Sequence, residues 1–173
     1  YKNAIAVFVQ TTDHMNVFLK NGVVANFINM RSSIWGNDDL VMLESFINLK
    51  KEKLNKYFIY NTTNWIKNTK GAIEFCQSKK LPFDLIGNFK NRYDFLNMLS
   101  NYKGIVFFPI ARETMCRMIV EARCLNMEIM TTKNYGAVLE SWFDYSGMNL
   151  INFLRYNTNK NIEIIKSILK ENL

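Results

Sequence analysis

The chain has 173 residues, of which 49% are hydrophobic and only two are prolines, and this composition indicates one globular domain and excludes a disordered chain. The formal net charge of +7 suits a polyanionic partner, but asparagine, glutamate and apolar residues dilute the lysine-rich stretches, which favours solvated faces over a nucleic-acid surface. The sequence contains neither an apolar stretch long enough to span a bilayer nor a signal peptide.

Two further features concern the cellular setting. The chain has three cysteines, an odd number, and their spacing does not match that of metal ligands. We therefore expect reduced thiols in a cytoplasmic protein, either in solution or peripheral at a membrane. The chain begins at Tyr1 rather than at a methionine, which indicates a fragment of a longer protein.

The first third of the sequence predicts short strands alternating with helices. The predicted elements, in order, are a strand over residues 4–10, a helix over about 13–20, a strand over 26–29, a loop over 30–38 and a helix from 38 or 39 to about 53. We interpret residues 1–55 as an N-terminal segment, either the end of a preceding lobe or a linker packed on the domain that follows.

From Tyr57 onward the pattern alternates strictly between strands and helices. The predicted elements are strands over 57–60, 83–87, 104–108 and 128–131, with helices over 67–79, 91–101 and 114–125 between them and two amphipathic helices over 148–156 and 161–173 at the end. This alternation predicts an α/β domain over residues 56–173, with a Rossmann-like parallel sheet and helices on both faces.

Charged residues are predicted at the carboxyl edge of this sheet, where open α/β sheets bind ligands. Glu113 follows the strand over 104–108, and a helix starting near Thr114 would offer unsatisfied N–H groups to a phosphate. Arg112 and Lys70 would add positive charge, because Lys70 lies at the start of the neighbouring helix. The pattern therefore favours a site for a nucleotide diphosphate.

Each of these residues also has an ordinary structural interpretation. Glu113 can be a stabilising negative charge at a helix N-terminus, and Lys70 a solvated lysine. Glu121 can form a surface pair with Arg117, four residues away. Gly87-Asn88 can contact a base through its backbone or form a plain turn.

The rarer side chains add little chemistry. His14 is the single histidine, and no residue is spaced to complete a triad or a metal site with it, so no metal is expected. Trp35, Trp65 and Trp142 each lie near a loop, where an indole either stacks on a ring or anchors the loop to the core.

Taken together, these segments resemble the C-terminal, donor-binding lobe of GT-B glycosyltransferases, in particular the large retaining family that includes sucrose and mannosyl transferases (glycosyltransferase family 4-like). The likeness covers about residues 57–140. It is carried by the strand before Lys70-Gly71, by Asp84-Leu85-Ile86-Gly87, by Phe107-Phe108-Pro109 with Glu113 and Glu121-Ala122 after it, and by Ile129 to Thr132, Tyr135-Gly136 and Glu140.

The resemblance implies an enzyme of glycoconjugate or polysaccharide synthesis. It implies metal-independent, cofactor-free transfer from a nucleotide-diphosphate sugar to an unknown acceptor, with retained configuration and a preceding acceptor lobe. Glu113 would contact the transferred sugar as the catalytic residue, and Glu121 the ribose. The other expected donor contacts are Lys70, Gly87, Asn88, Arg112, Thr114, Met115 and Cys116.

The sequence departs from the family at three places. Asn126-Met127 stands where glycine and proline are usual. Thr114-Met115-Cys116 stands where the family has Gly-Phe-Gly, and Asn64 replaces the arginine expected six positions before Lys70. The missing glycines reduce the room for a diphosphate to approach the backbone. They favour the alternative, a non-catalytic Rossmann-like binding module that has lost the donor and holds a protein or nucleic-acid partner.

Overall fold

The structure, a computed structural model, describes residues 3–49 and 51–171, and these form a four-stranded parallel sheet, a two-stranded parallel sheet and six α-helices. The strands are β1 (Val7–Val9), β2 (Phe27–Asn29), β3 (Leu54–Tyr60), β4 (Phe83–Ile86), β5 (Tyr102–Phe107) and β6 (Glu128–Thr131). The helices are α1 (Thr12–Lys20), α2 (Asn37–Asn48), α3 (Thr69–Ser78), α4 (Arg92–Ser100), α5 (Arg117–Cys124) and α6 (Gly147–Glu171), with short 3-10 helices at Trp65–Lys67, Gly136–Leu139 and Ser141–Asp144. Outside the described residues lie residues 1, 2, 50, 172 and 173. They belong to the predicted segment 1–55 and to the predicted helices over 38–53 and 161–173.

The larger sheet has the strand order β4-β3-β5-β6, and all its neighbouring strands are parallel. The chain moves outward from β3 to β4 and then returns to the other side of β3 to form β5. The order therefore reverses between β3 and β5. The region beyond the carboxyl ends of these two strands, termed the crevice, is where open α/β sheets bind ligands. The predicted α/β, Rossmann-like fold is confirmed.

The two faces of the sheet are covered by different helices. Side chains of β3 alternate between them: Phe58 joins the core formed with α2, α4, α5 and α6, whereas Tyr57 and Ile59 contact Ala72 and Cys76 of α3. Burial on both faces is typical of parallel sheets.

Helix α2 ends earlier than the sequence pattern predicts. It ends at Asn48 instead of near residue 53, and the chain is extended again from Leu54 in β3. Lys53 donates two hydrogen bonds, at 2.7 and 2.9 Å, to the carbonyl oxygens of Leu125 and Asn126 at the C-terminal end of α5. Lys53 therefore ties the start of β3 to α5 instead of continuing α2.

The two predicted C-terminal helices are one helix, so the expected break between residues 156 and 161 was wrong. Helix α6 has 25 residues and runs through the polar stretch that suggested the break. Asn157 and Asn161 face the protein and donate hydrogen bonds to the carbonyl oxygen of Met30 at 2.7 and 2.8 Å, and Thr158 accepts one from the backbone N–H of Trp35 at 3.2 Å. Among the described residues, no helix combines the length and apolarity that a membrane crossing requires.

The N-terminal segment shares the main core. Trp35 and the α2 side chains Leu40, Leu43 and Phe46 are buried in the same cluster as Leu150 of α6. The strands β1 and β2 pair with each other, and α1 lies between them in the chain. The backbone N–H of Thr12 at the start of α1 donates to the buried carboxylate of Glu140 at 2.6 Å.

Candidate functional site

The crevice between β3 and β5 contains a half-buried ion pair. Lys67, in the 3-10 helix that follows β3, lies with its ammonium nitrogen 2.8 Å from the carboxylate of Glu113, in the loop that follows β5. Their side chains are 29% and 19% exposed, and the ammonium also lies 5.7 Å from the centre of the Phe107 ring. The pair therefore remains accessible at the edge where this sheet type binds ligands.

The loops that carry this pair are fixed to each other. The backbone N–H of Ile110 donates to the carbonyl oxygen of Ile66 at 2.9 Å, and the Asn68 side chain donates to the carbonyl oxygen of Phe108 at 2.9 Å. Residues 65–68 thus form a short rigid segment along the crevice, held by the loop from β5.

The start of α3 explains the Lys70-Gly71 pair in the sequence. Asn68 adopts a left-handed conformation with φ of 52°, and its side chain accepts from the backbone N–H of Gly71 at 3.1 Å. A Cβ at Gly71 would lie 2.4 Å from the Asn68 amide nitrogen, so the cap requires glycine there. The Lys70 side chain is 88% exposed and lies 3.8 Å from Glu74, in a solvated position, and its contact with a donor stays a prediction.

The helix predicted from Thr114 begins three residues later, at Arg117, so that part of the prediction was wrong. Cys116 is its N-cap residue, with φ of 58°, and Met115 is buried in the core. The Thr114 hydroxyl donates to the side-chain oxygen of Gln10 at 2.5 Å. The turn is therefore packed against the N-terminal segment, because its side chains fill the space that glycines would leave.

Two neighbouring residues in the loop have different surroundings. The backbone of Glu113 pairs with the loop after β6, through Asn134 at 2.8 Å and Gly136 at 2.9 Å, which fixes the position of its carboxylate. Arg112 forms a two-point ion pair with Asp13 of α1, one arm of which measures 2.7 Å. The structure thus brings Glu113 to the crevice and directs Arg112 to the N-terminal segment.

Glu121 pairs with Arg117 as expected, but it lies in a buried ionic network and not at the surface. Its side chain is 2% exposed and lies 2.8 Å from Arg92 and 3.7 Å from Arg117. Arg117 also donates to Asp39 at 2.9 Å and lies over the Trp35 ring, 4.2 Å from its centre. These contacts join the N-terminal ends of α2, α4 and α5.

The pKa values of the two carboxyl groups in this network, Glu121 and Asp39, are shifted in opposite directions. Burial raises the pKa of Glu121, against the opposing effect of Arg92 and Arg117. At Asp39 burial also acts to raise the pKa, but the hydrogen bond from Arg117 and the charges of both arginines outweigh it, so the pKa is lowered. Asp39 is therefore held as the charged partner of the arginines.

Gly87 and Asn88 lie at the end of β4, next to the crevice. A Cβ at Gly87 would lie 2.5 Å from the carbonyl oxygen of Asn61, because the residues that follow β3 and β4 approach each other closely there. Asn88 has a left-handed backbone with φ of 60°. Close packing accounts for the glycine, and the contact of this turn with a base stays a prediction.

The sequence alone did not identify two residues of the region, Lys67 and Arg92. Lys67 belongs to one of the diluted lysine-rich stretches, and its position in the segment between a strand and the next helix was the available signal. Arg92, at the first turn of α4, had no distinguishing sequence pattern, because its partner Glu121 is 29 residues away. Among the described residues, no group of three histidine, cysteine or acidic side chains is arranged to hold a metal ion.

Comparison with family models, with curated proteins and with solved structures gives no match for this chain.

Proposed function

We propose that this chain is the donor-binding lobe of a retaining, metal-independent glycosyltransferase that uses a nucleotide-diphosphate sugar. The observation that carries the proposal is the Lys67–Glu113 pair, 2.8 Å apart and half-buried, in the crevice where the strand order reverses. The order of motifs along the chain, which resembles that family, supports the same function.

The pair provides the two kinds of group that a sugar diphosphate needs. The Lys67 ammonium can leave its ion pair with Glu113 and bind a diphosphate oxygen instead. It can then stabilise the negative charge that develops on the leaving diphosphate. The N-terminal end of α3 lies on the same edge and adds its dipole, and the long exposed side chain of Lys70 can turn from Glu74 towards the phosphates. Glu113, once released, can accept hydrogen bonds from hydroxyl groups of the transferred sugar.

In this proposal Glu121 acts through Arg92. Its buried carboxylate holds the guanidinium of Arg92, whose side chain is 34% exposed at the start of α4. The remaining N–H groups of Arg92 can then donate to the ribose or to a phosphate. A ribose that bound Glu121 directly would have to displace Arg92 from a contact of 2.8 Å.

Isothermal titration with nucleoside diphosphates and their sugars tests the proposal. The panel is UDP, GDP, ADP and CDP, with UDP-glucose, UDP-N-acetylglucosamine, GDP-mannose and ADP-glucose. We expect at least one nucleotide to bind, and its sugar form to bind more tightly because Glu113 contacts the sugar. Glu113→Gln should remove that added affinity without weakening diphosphate binding, because Lys67 no longer has to leave a carboxylate. Absence of binding by every compound would overturn the proposal.

A second candidate, a binding module without donor activity, is favoured by the packed turn before α5. Met115 is buried and Thr114 is bonded to Gln10, so a diphosphate cannot approach that backbone without displacing side chains. This candidate predicts that no nucleotide binds and that the basic surface holds a polyanion, seen as a salt-sensitive shift of nucleic acid in a gel. Nucleotide binding at the crevice would exclude it.

A further inference from the structure

The three tryptophans differ sharply in exposure. Trp35 and Trp142 are 2% and 1% exposed, whereas Trp65 is 69% exposed. Trp142 donates its indole N–H to the carbonyl oxygen of Arg31 at 2.7 Å, and Trp35 lies under Arg117, so both anchor loops to the core. Among the ring contacts of the described residues, none involves Trp65.

Trp65 lies on the rigid segment beside the crevice. Its neighbour Ile66 accepts from Ile110 and donates to the side chain of Asn64 at 3.1 Å, and Lys67 holds Glu113. The backbone under the indole is therefore fixed before any ligand arrives, which lowers the entropic cost of binding. An exposed indole on a fixed backbone has no role in the core and is suited to contact with a ligand.

The groups around the indole indicate the chemistry of that ligand. The Ile110 side chain is 56% exposed next to this segment, and Lys67, two residues after Trp65 in the same 3-10 helix, holds the carboxylate of Glu113. A saccharide ring has a face of C–H groups and a rim of hydroxyls. The C–H groups suit the negative face of an indole, and the hydroxyls suit an ammonium and a carboxylate.

We propose that Trp65 is a stacking platform for a saccharide ring at the rim of the crevice. The identification of that saccharide as the acceptor rests on the proposed function, because an acceptor must lie within reach of the sugar held at Glu113. The stacking itself depends only on the geometry of Trp65 and its neighbours.

Acrylamide quenching of intrinsic fluorescence tests the platform directly. Since Trp35 and Trp142 are buried, the quenchable emission comes from Trp65. The probes are maltotriose, cellotriose, mannotriose and triacetylchitotriose at millimolar concentrations. At least one should protect Trp65 from acrylamide, and Trp65→Ala should abolish the quenchable emission. Protection by none of the four, or by a nucleoside diphosphate alone, would overturn the platform.

Substitutions separate the platform from a nonspecific effect. For the trisaccharide that binds, calorimetry should show affinity about tenfold weaker in Trp65→Ala and nearly retained in Trp65→Phe. Tyr156→Ala removes another exposed aromatic side chain, on α6, and should change nothing. Equal affinity in wild type and Trp65→Ala would overturn the platform.

The platform and the proposed function fail in different ways. If a nucleotide sugar binds but no trisaccharide protects Trp65, the platform alone is wrong. If a trisaccharide protects Trp65 while no nucleotide binds, the platform stands and the donor-binding function is wrong.

Discussion

The carboxylate of Glu113 pairs with Lys67 and also affects the pKa of the Cys116 thiol. Burial raises the pKa of Cys116 to about 12, and the charge of Glu113 adds to that effect. The thiol is therefore neutral at physiological pH and is not a nucleophile. The proposed function therefore depends on Glu113 and Lys67 and not on this thiol.

The Cys116 thiol should resist modification in the folded protein. At pH 8, Ellman's reagent should leave it unmodified until denaturant is added, when all three cysteines react. The folded pKa of about 12 is above the ordinary value of 9.0, so the neutral thiol's contribution to stability is complete below pH 9 and is lost between pH 9 and 12. Cys116→Ala should lower the dependence of the unfolding free energy on pH in that window. Rapid labelling of native Cys116 at pH 8 would contradict this assignment.

Glu121 should contribute to stability whatever its part in binding. Glu121→Ala leaves Arg92 and Arg117 without their buried carboxylate, and urea unfolding should show a loss of about 2–4 kcal/mol, reduced because both arginines partly contact solvent. The control is Glu74→Ala on α3, which removes an exposed partner of Lys70 and should cost less than about 0.5 kcal/mol. Equal losses in the two variants would show that the network is not stabilising.

At the scale of elements, α6 owes its continuity to polar groups that face inward. The stretch around Asn157 has low helix propensity, yet Asn157 donates to Met30 and Ser32, and Asn161 donates to the same Met30 carbonyl. Tertiary hydrogen bonds therefore compensate for the weak local preference. They also fix the loop that leads to Trp35.

Two neighbouring asparagines of α6 provide a matched comparison. Asn157→Ala should destabilise the protein by about 1–3 kcal/mol, because the loop around Met30 loses buried hydrogen bonds. Asn159→Ala, at an exposed position two residues later, should change stability by less than about 0.5 kcal/mol. Thermal unfolding followed by circular dichroism measures both. A negligible effect of Asn157→Ala would contradict the role given to it.

The sequence predicted the elements with strong local patterns and failed where distant contacts decide. The strand over 128–131 and the alternation from Tyr57 onward were confirmed, because apolar runs and turn residues encode them locally. The break expected in α6 and the helix start expected at Thr114 were wrong, since partners more than a hundred residues away hold Asn157 and Thr114. Glu113 was placed at the correct edge by its position after a strand, whereas Arg92 could not be linked to Glu121 without the fold.

The whole molecule has a main core that crosses the predicted boundary at residue 55. Trp35, Leu40, Leu43 and Phe46 lie in the cluster that also contains side chains of β3, β5, α4, α5 and α6. The segment before β3 is therefore part of the core, not only a layer on its surface.

A fragment of residues 56–173 should not fold by itself. It lacks α2 and Trp35, and circular dichroism should show little cooperative unfolding compared with the whole chain. Within the whole chain, Leu43→Ala should cost about 2–5 kcal/mol, as a buried leucine does, while Val41→Ala at an exposed position of the same helix should cost much less. A sharp thermal transition in the fragment would contradict a shared core.

The binding of a nucleotide by two lysine variants tests the central proposal most directly. Lys67→Met removes the cation of the crevice, whereas Lys166→Met removes the same charge from an exposed position on α6. With the nucleoside diphosphate that binds the wild type, calorimetry should show affinity at least about tenfold weaker for Lys67→Met, from the loss of a charge-assisted hydrogen bond, and unchanged for Lys166→Met. Equal affinities for Lys67→Met and the wild type would contradict a donor site at the carboxyl ends of β3 and β5.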